Sequence, residues 1–366
     1  LGAALSNSTT MLIAMRALMG IGAASIMPAT LSILTATFRK DSERAQAIAL
    51  WAAVFALGMG AGPLVGGWLL EHYSWSSVFY INIPVVAVGL IGGSIFIQDS
   101  RAETSRQIDI FGAMLSIAGF FALVYAIIQA GMDGWGDTRV LVSFGAAALL
   151  LGIFITWELK ARNAMLPLHF FKNMSFTGAN IALTLVSFGL MGAFFFLGQF
   201  LQSVHGYSPL EAGIRLLPMA GVAFVSAAGS AKVANLIGTK LTVAIGILIT
   251  GGGFFYLAQL AAVDATYPVI ALAMSISSFG IGMVMSPATN SIMGSIPVAQ
   301  SGIGSALNNT TRQVGAALGV AVLGTIMNSV YLREINGTAW PVQLPEAAMD
   351  AIRSSIQGAH IVAQQI

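Results

Sequence analysis

Gly58-Met59-Gly60-Ala61-Gly62-Pro63-Leu64-Val65-Gly66-Gly67 lies inside an uncharged apolar run from about residue 45 to residue 70. A helix needs roughly 20 apolar residues to cross the hydrocarbon of a bilayer, and this run exceeds that. Gly58, Gly62 and Gly66 recur every four residues. They therefore share one helix face, on which a neighbouring helix is expected to approach closely. Pro63 withdraws one backbone hydrogen bond at mid-depth and is expected to kink the helix. Close packing combined with a kink suits a helix that moves, and a static anchor needs neither.

The rest of the chain has the same character. Hydrophobic residues make up 57% of its 366 positions and charged ones 8%, against about 25% charged in soluble domains. The mean hydropathy is +0.84, more apolar surface than a globular interior can take up. The chain reads as an all-α polytopic membrane protein. A net charge of +2 is spread between apolar runs, so no basic cluster is dense enough to follow a phosphate backbone, and nucleic acid is excluded as a partner. The absence of cysteine rules out disulfides and thiolate chemistry. His72, His169, His205 and His360 are not paired at metal-ligand spacing, and no metal site is expected.

Apolar runs of spanning length recur at roughly residues 10–36, 45–70, 77–97, 110–130, 139–158, 175–202, 211–231, 241–261, 268–290 and 302–327, giving about ten complete helices. Residues 1–8 resemble the tail of an earlier helix, and the chain from Ala359 the start of a later one; it reads as a fragment with segments missing at both ends. Orientation follows from Lys and Arg. If the 36–44 loop is cytoplasmic, that side holds Arg39, Lys40, Arg44, Arg101, Arg106, Lys160, Arg162, Lys172, Lys232 and Lys240. The other side holds Arg139, Arg333 and Arg353, with Arg215 near one helix end. The stretch after Tyr331, rich in Pro, Gly and polar residues, is then an external loop.

Several segments carry a resemblance. Met15-Arg16-Ala17-Leu18-Met19-Gly20-Ile21-Gly22-Ala23-Ala24 is similar to the fourth-helix motif of the major facilitator superfamily, and Gly58 to Gly67 to its fifth-helix antiporter motif. Trp75-Ser76-Ser77-Val78-Phe79-Tyr80-Ile81-Asn82-Ile83-Pro84 resembles the signature of the fourteen-helix drug:proton antiporters, the group of the quaternary-ammonium and methyl-viologen resistance pumps. Gln202-Ser203-Val204-His205-Gly206-Tyr207-Ser208-Pro209, Leu217-Pro218 and Asn309-Thr310-Thr311-Arg312-Gln313-Val314-Gly315 match the same group in the same order. The resemblance implies a major facilitator fold holding helices four to thirteen of fourteen. Residues 1–97 would belong to the N-terminal six-helix half, 98–172 to two extra linker helices, and 173–366 to the C-terminal half. It further implies a monomer in the bacterial plasma membrane.

Each candidate residue has a functional and a plainer reading. Arg16 lies several residues inside its apolar run, where an arginine costs about 2.5–3.5 kcal/mol even on the most lenient scale. Either it snorkels to the external surface, or it lowers the pKa of a nearby carboxylate and takes part in proton coupling, the role the resemblance implies. Gly58, Gly62, Pro63, Gly66 and Gly67 are packing and kink positions, generic to close helix pairs or, by the resemblance, a seal between the two halves. Arg312 and Asn309, in a polar run near one helix end, are interfacial or line a cavity or gate. Gln199 and Gln202, after Phe194-Phe195-Phe196, are candidates for a pocket that accepts aromatic cations; the plainer reading of Phe195 and its neighbours is that they face lipid.

One absence bears on mechanism. No Asp or Glu stands in the middle of any expected helix; Glu71, Asp109, Glu158, Glu211 and Asp264 fall at ends or in loops. Proton antiport needs a protonatable group that meets each side in turn. In the resembled family a first-helix carboxylate commonly serves. Gly20-Ile21-Gly22 and Gly251-Gly252-Gly253 follow no strand, and no Walker motif exists, so no nucleotide or other cofactor is expected. With no converging Ser/His/Asp set, an enzyme is not expected either. The reading is a secondary multidrug exporter exchanging lipophilic cations for external protons; the alternative is a major facilitator transporter of a metabolite, amino acid or siderophore.

Overall fold

A computed structural model describes residues 1–97, 109–161, 166, 168–260, 265–297, 300–337, 345–354, 358–359 and 362. Among the described residues the regular structure is helical. In chain order the helices are α1 (Thr9–Thr37), α2 (Asp41–His72), α3 (Ser77–Tyr80), α4 (Asn82–Phe96), α5 (Ile110–Asp133), α6 (Thr138–Lys160), α7 (Met174–Gln199), α8 (Pro209–Ile237), α9 (Thr239–Leu260), α10 (Tyr267–Gly294), α11 (Ser301–Gly337) and α12 (Glu346–Ser354). A 3₁₀ turn, Leu168–Lys172, precedes α7 and a π turn, Phe200–Val204, follows it.

Among the described residues ten spans are long and apolar enough to cross a membrane, with α3 and α4 counted together. Their limits fall close to the apolar runs because lipid, unlike a globular core, demands an unbroken apolar sequence. Two differences stand out at the C-terminal end. Helix α11 runs on to Gly337, and α12 forms within the stretch expected to be an external loop. Both segments are polar, so hydropathy carries no signal for them. Residues 2–5 form a turn closed by the Leu5 amide on the Leu1 carbonyl at 3.1 Å.

The chain divides into two compact units, each drawing on separated stretches of sequence. The first contains residues 1–106, 169–186 and 207–313, hence α1–α4, α8–α10, the start of α7 and the start of α11. In it α2 packs along α8, and α10 lies against α8, α9 and α2. Small residues let these helices meet. A Cβ on Gly246 would lie 2.9 Å from the Gly280 carbonyl oxygen, and one on Gly282 2.8 Å from that of Ala223. The Ser226 hydroxyl donates to the Phe279 carbonyl at 2.5 Å, satisfying a polar group where there is no water.

The second unit contains residues 107–168, 187–206 and 314–366. Here α5 packs on α6, with Phe111 edge-on to Trp157 at 4.7 Å and the Trp157 indole donating to Asp109 at 2.8 Å. Asp109 also caps α5 by accepting from the Gly112 amide at 2.9 Å. Gly192 of α7 faces Gly319 of α11, where an added Cβ would lie 3.1 Å from the Gly319 carbonyl oxygen. Thr325 donates to the Ile127 carbonyl and Asn328 to that of Gly131, both at 2.7 Å, tying α11 to α5.

Candidate functional site

The fifth-helix motif makes its close contact through residues other than the expected glycine stripe. Nothing within 4 Å would meet a Cβ on Gly58, Gly62 or Gly66. The contact with α8 runs instead through Gly60, Pro63, Leu64 and Gly67. A Cβ on Gly67 would lie 2.5 Å from the Pro209 carbonyl oxygen, one on Gly213 of α8 would lie 2.6 Å from that of Pro63, and one on Gly60 would collide with the Ala220 methyl. Residues 60, 63, 64 and 67 have the i, i+3, i+4, i+7 spacing of one helix face. With about 3.6 residues per turn, positions 58, 62 and 66 fall on the far side of the helix from that face. Pro63 lies inside α2, and its missing N–H leaves the Met59 carbonyl without its usual donor. The Glu71 carboxylate accepts from the Leu210 amide at 3.3 Å, and Ser208 with Glu211 forms a capping box at the α8 start.

Arg16 is exposed on α1. Arg312 is 8% exposed on α11. Its guanidinium carbon stands 4.7 Å from the Phe55 ring centre and 5.7 Å from that of Trp51. Those two rings, one turn apart on α2, lie 6.4 Å apart and nearly parallel, at 18°. The Trp51 indole is held by a 3.4 Å hydrogen bond to the Thr30 hydroxyl of α1. Among the described residues Arg312 makes no ion pair, and its buried Nε has no hydrogen-bond partner. Asn308, one turn earlier and 1% exposed, likewise has a buried Oδ1 with no partner among those residues. The Thr311 hydroxyl reaches Asn180 of α7 at 3.1 Å. Asn309 is half-buried beside them.

The second unit holds a cavity of about 740 Å³, within the size range of small-molecule sites. Val124, Ile128 and Met132 of α5, Phe195 of α7, Val320 and Leu332 of α11 and Arg353 of α12 border it. Phe195, 48% exposed, therefore faces space, whereas Gln199, half-buried, and Gln202, exposed on the π turn, do not border that cavity. Of the candidate residues, Arg16, Asn309 and Arg312 belong to the first unit and Phe195, Gln199 and Gln202 to the second.

Among the described carboxylates of the membrane-length helices, Asp41 and Glu43 lie in the first turn of α2, Glu71 in its last, and Glu211 in the first turn of α8. Glu158, 4% exposed in the last turn of α6, accepts from the Leu166 amide at 2.8 Å. Asp264, Arg101, Arg106 and Arg162 lie outside the described residues. Among the described residues no group of His, Asp and Glu is arranged to hold a metal. Sequence reasoning missed Trp51 and Phe55: they stand on α2 and Arg312 on α11, so no spacing along a single run pairs them.

Ten membrane-length spans among the described residues, packed through small-residue crossings, define a multi-pass helical protein of the cell membrane. The chain belongs to the Major Facilitator Superfamily, whose profile matches residues 1–320. It is 33% identical over 326 residues to the Tetracenomycin C resistance and export protein of Streptomyces glaucescens, covering 89% of this chain and 60% of that protein. It is 33% identical to the Multidrug efflux pump LfrA of Mycolicibacterium smegmatis, covering 100% of this chain and 71% of the pump. It is 34% identical to the Methylenomycin A resistance protein of Bacillus subtilis, covering 89% of this chain and 70% of that protein. The chain thus spans less than three quarters of the length of each of these relatives.

Proposed function

We propose that the protein is a secondary multidrug exporter that exchanges lipophilic cations from the cytoplasm for external protons by alternating access. The observation that carries this reading is the 33% identity to a multidrug efflux pump along the whole chain. The α2–α8 crossing supports it. Gly60, Gly67 and Gly213 let two backbones approach closely, and alternating access is largely a rocking of one bundle against another.

The proposal carries with it a division of the chain into residues 1–97 in the first half, 98–172 as linker helices, and 173–366 in the second half. The monomeric state and the cytoplasmic 36–44 loop belong to the same proposal. Proton coupling is assigned to Arg16 acting on a carboxylate outside the described membrane-length helices; the acids of α2 and α8 occupy terminal turns. A cation close to that acid favours its charged form; moving away lets it take a proton.

The test uses the complete reading frame in a bacterial host stripped of its own efflux pumps, with cells preloaded with ethidium. Efflux that a protonophore stops is the expected result. No efflux beyond vector, with the protein present in the membrane, would overturn the reading and favour a transporter of a specific metabolite.

A further inference from the structure

We propose that the Trp51–Phe55 ring pair is a recognition site for lipophilic cations, and that Arg312 is its built-in occupant, displaced when a transported cation arrives. This inference rests on the reading of the protein as a cation exporter and adds to it where the cation is held.

Three observations support it. The first is the hold on Arg312. Its guanidinium carbon lies within 6 Å of both ring centres, the range in which an aromatic face attracts a cation. Among the described residues no carboxylate pairs with it. A buried ion pair would fix the arginine firmly; ring faces alone hold it weakly enough for a competitor to take its place.

The second is depth. Trp51 stands ten residues into α2 and Arg312 eleven into α11, so both lie about 15 Å along their helices from the neighbouring loops. A cation reaching these rings has left the aqueous phase and needs a surface to replace water. The flat, partly exposed faces of Trp51 and Phe55 provide one that accepts varied shapes and rejects anions.

The third is where the displaced charge goes. Asn308 lies one turn earlier on α11 with a buried carbonyl oxygen that no donor reaches among the described residues. Residues four apart on a helix are side-chain neighbours. A swing of the guanidinium from the rings to Asn308 Oδ1 satisfies both Asn308 and the unpartnered Nε of Arg312.

The test measures tetraphenylphosphonium binding to the purified full-length protein by equilibrium dialysis. Arg312→Met removes the competitor and leaves the rings; binding should tighten by about fivefold to thirtyfold, the range of a desolvated cation–π contact. Arg312→Gln repeats the test with a polar side chain and should tighten binding in the same direction. Adding Trp51→Leu and Phe55→Leu to either variant should abolish the gain. A folded Arg312 variant that binds no tighter than wild type overturns the inference, as does a gain that survives loss of both rings. Protonophore-sensitive ethidium efflux without any gain in the variants would overturn this inference alone. Absence of binding in every form would remove the cation-export reading with it.

Discussion

Gly67→Ala should destabilise the protein, whereas Gly58→Ala and Gly62→Ala should not. A methyl at residue 67 would meet three backbone atoms of α8, the Pro209 oxygen at 2.5 Å, the Pro209 carbonyl carbon at 2.7 Å and the Leu210 Cα at 2.8 Å. No side-chain rotation relieves a clash with backbone, so the start of α8 has to retreat. That movement strains the capping box at Ser208 and Glu211 and the Glu71 contact to Leu210. Overpacking of this kind costs about 1–3 kcal/mol, against about 1 kcal/mol gained from alanine's better helix propensity. At residues 58 and 62 the methyl meets nothing within 4 Å, so only the propensity gain remains. The assay is thermal unfolding of the three full-length variants in one detergent. Midpoints for Gly58→Ala and Gly62→Ala should match or exceed wild type, and that of Gly67→Ala should fall below it. A loss at residue 62 as large as at residue 67 would refute the assignment of the packing face.

Three further outcomes follow from the geometry. Ser208→Ala removes the acceptor for the Glu211 amide at 3.2 Å and should cost about 1 kcal/mol; faster hydrogen exchange in the first turn of α8 reads it, and unchanged exchange counts against the cap. Thr325→Val loses the bond to the Ile127 carbonyl and should cost about 0.6–1 kcal/mol, measured as a lower unfolding midpoint with helix content intact. Arg16→Ala in the full-length protein should reduce proton-driven exchange more than substrate binding, and equal loss of both would count against a coupling role.

The membrane spans were legible in the sequence because a bilayer imposes a length and an apolar composition that each helix must meet alone. The α11 extension and α12 were not, since their residues are stabilised by contacts such as the Tyr331 hydroxyl on the Ile352 carbonyl at 2.7 Å, which leave no periodic trace. The glycine-rich motif could be read as a packing element but not aimed. Five glycines in ten residues cover more than one face, and only the partner helix selects Gly60 and Gly67. The polarity of Arg312 flagged it as a candidate; its seat on Trp51 and Phe55 joins residues far apart in sequence. Spacing along one helix cannot reveal such a pairing.

Proton coupling is the central claim, and proteoliposomes of the full-length protein with a pH-sensitive dye inside test it most directly. Adding tetraphenylphosphonium on one side of the membrane should drive protons the opposite way, and should do so only when the protein is present. Transport of the cation with no accompanying proton movement would contradict the account.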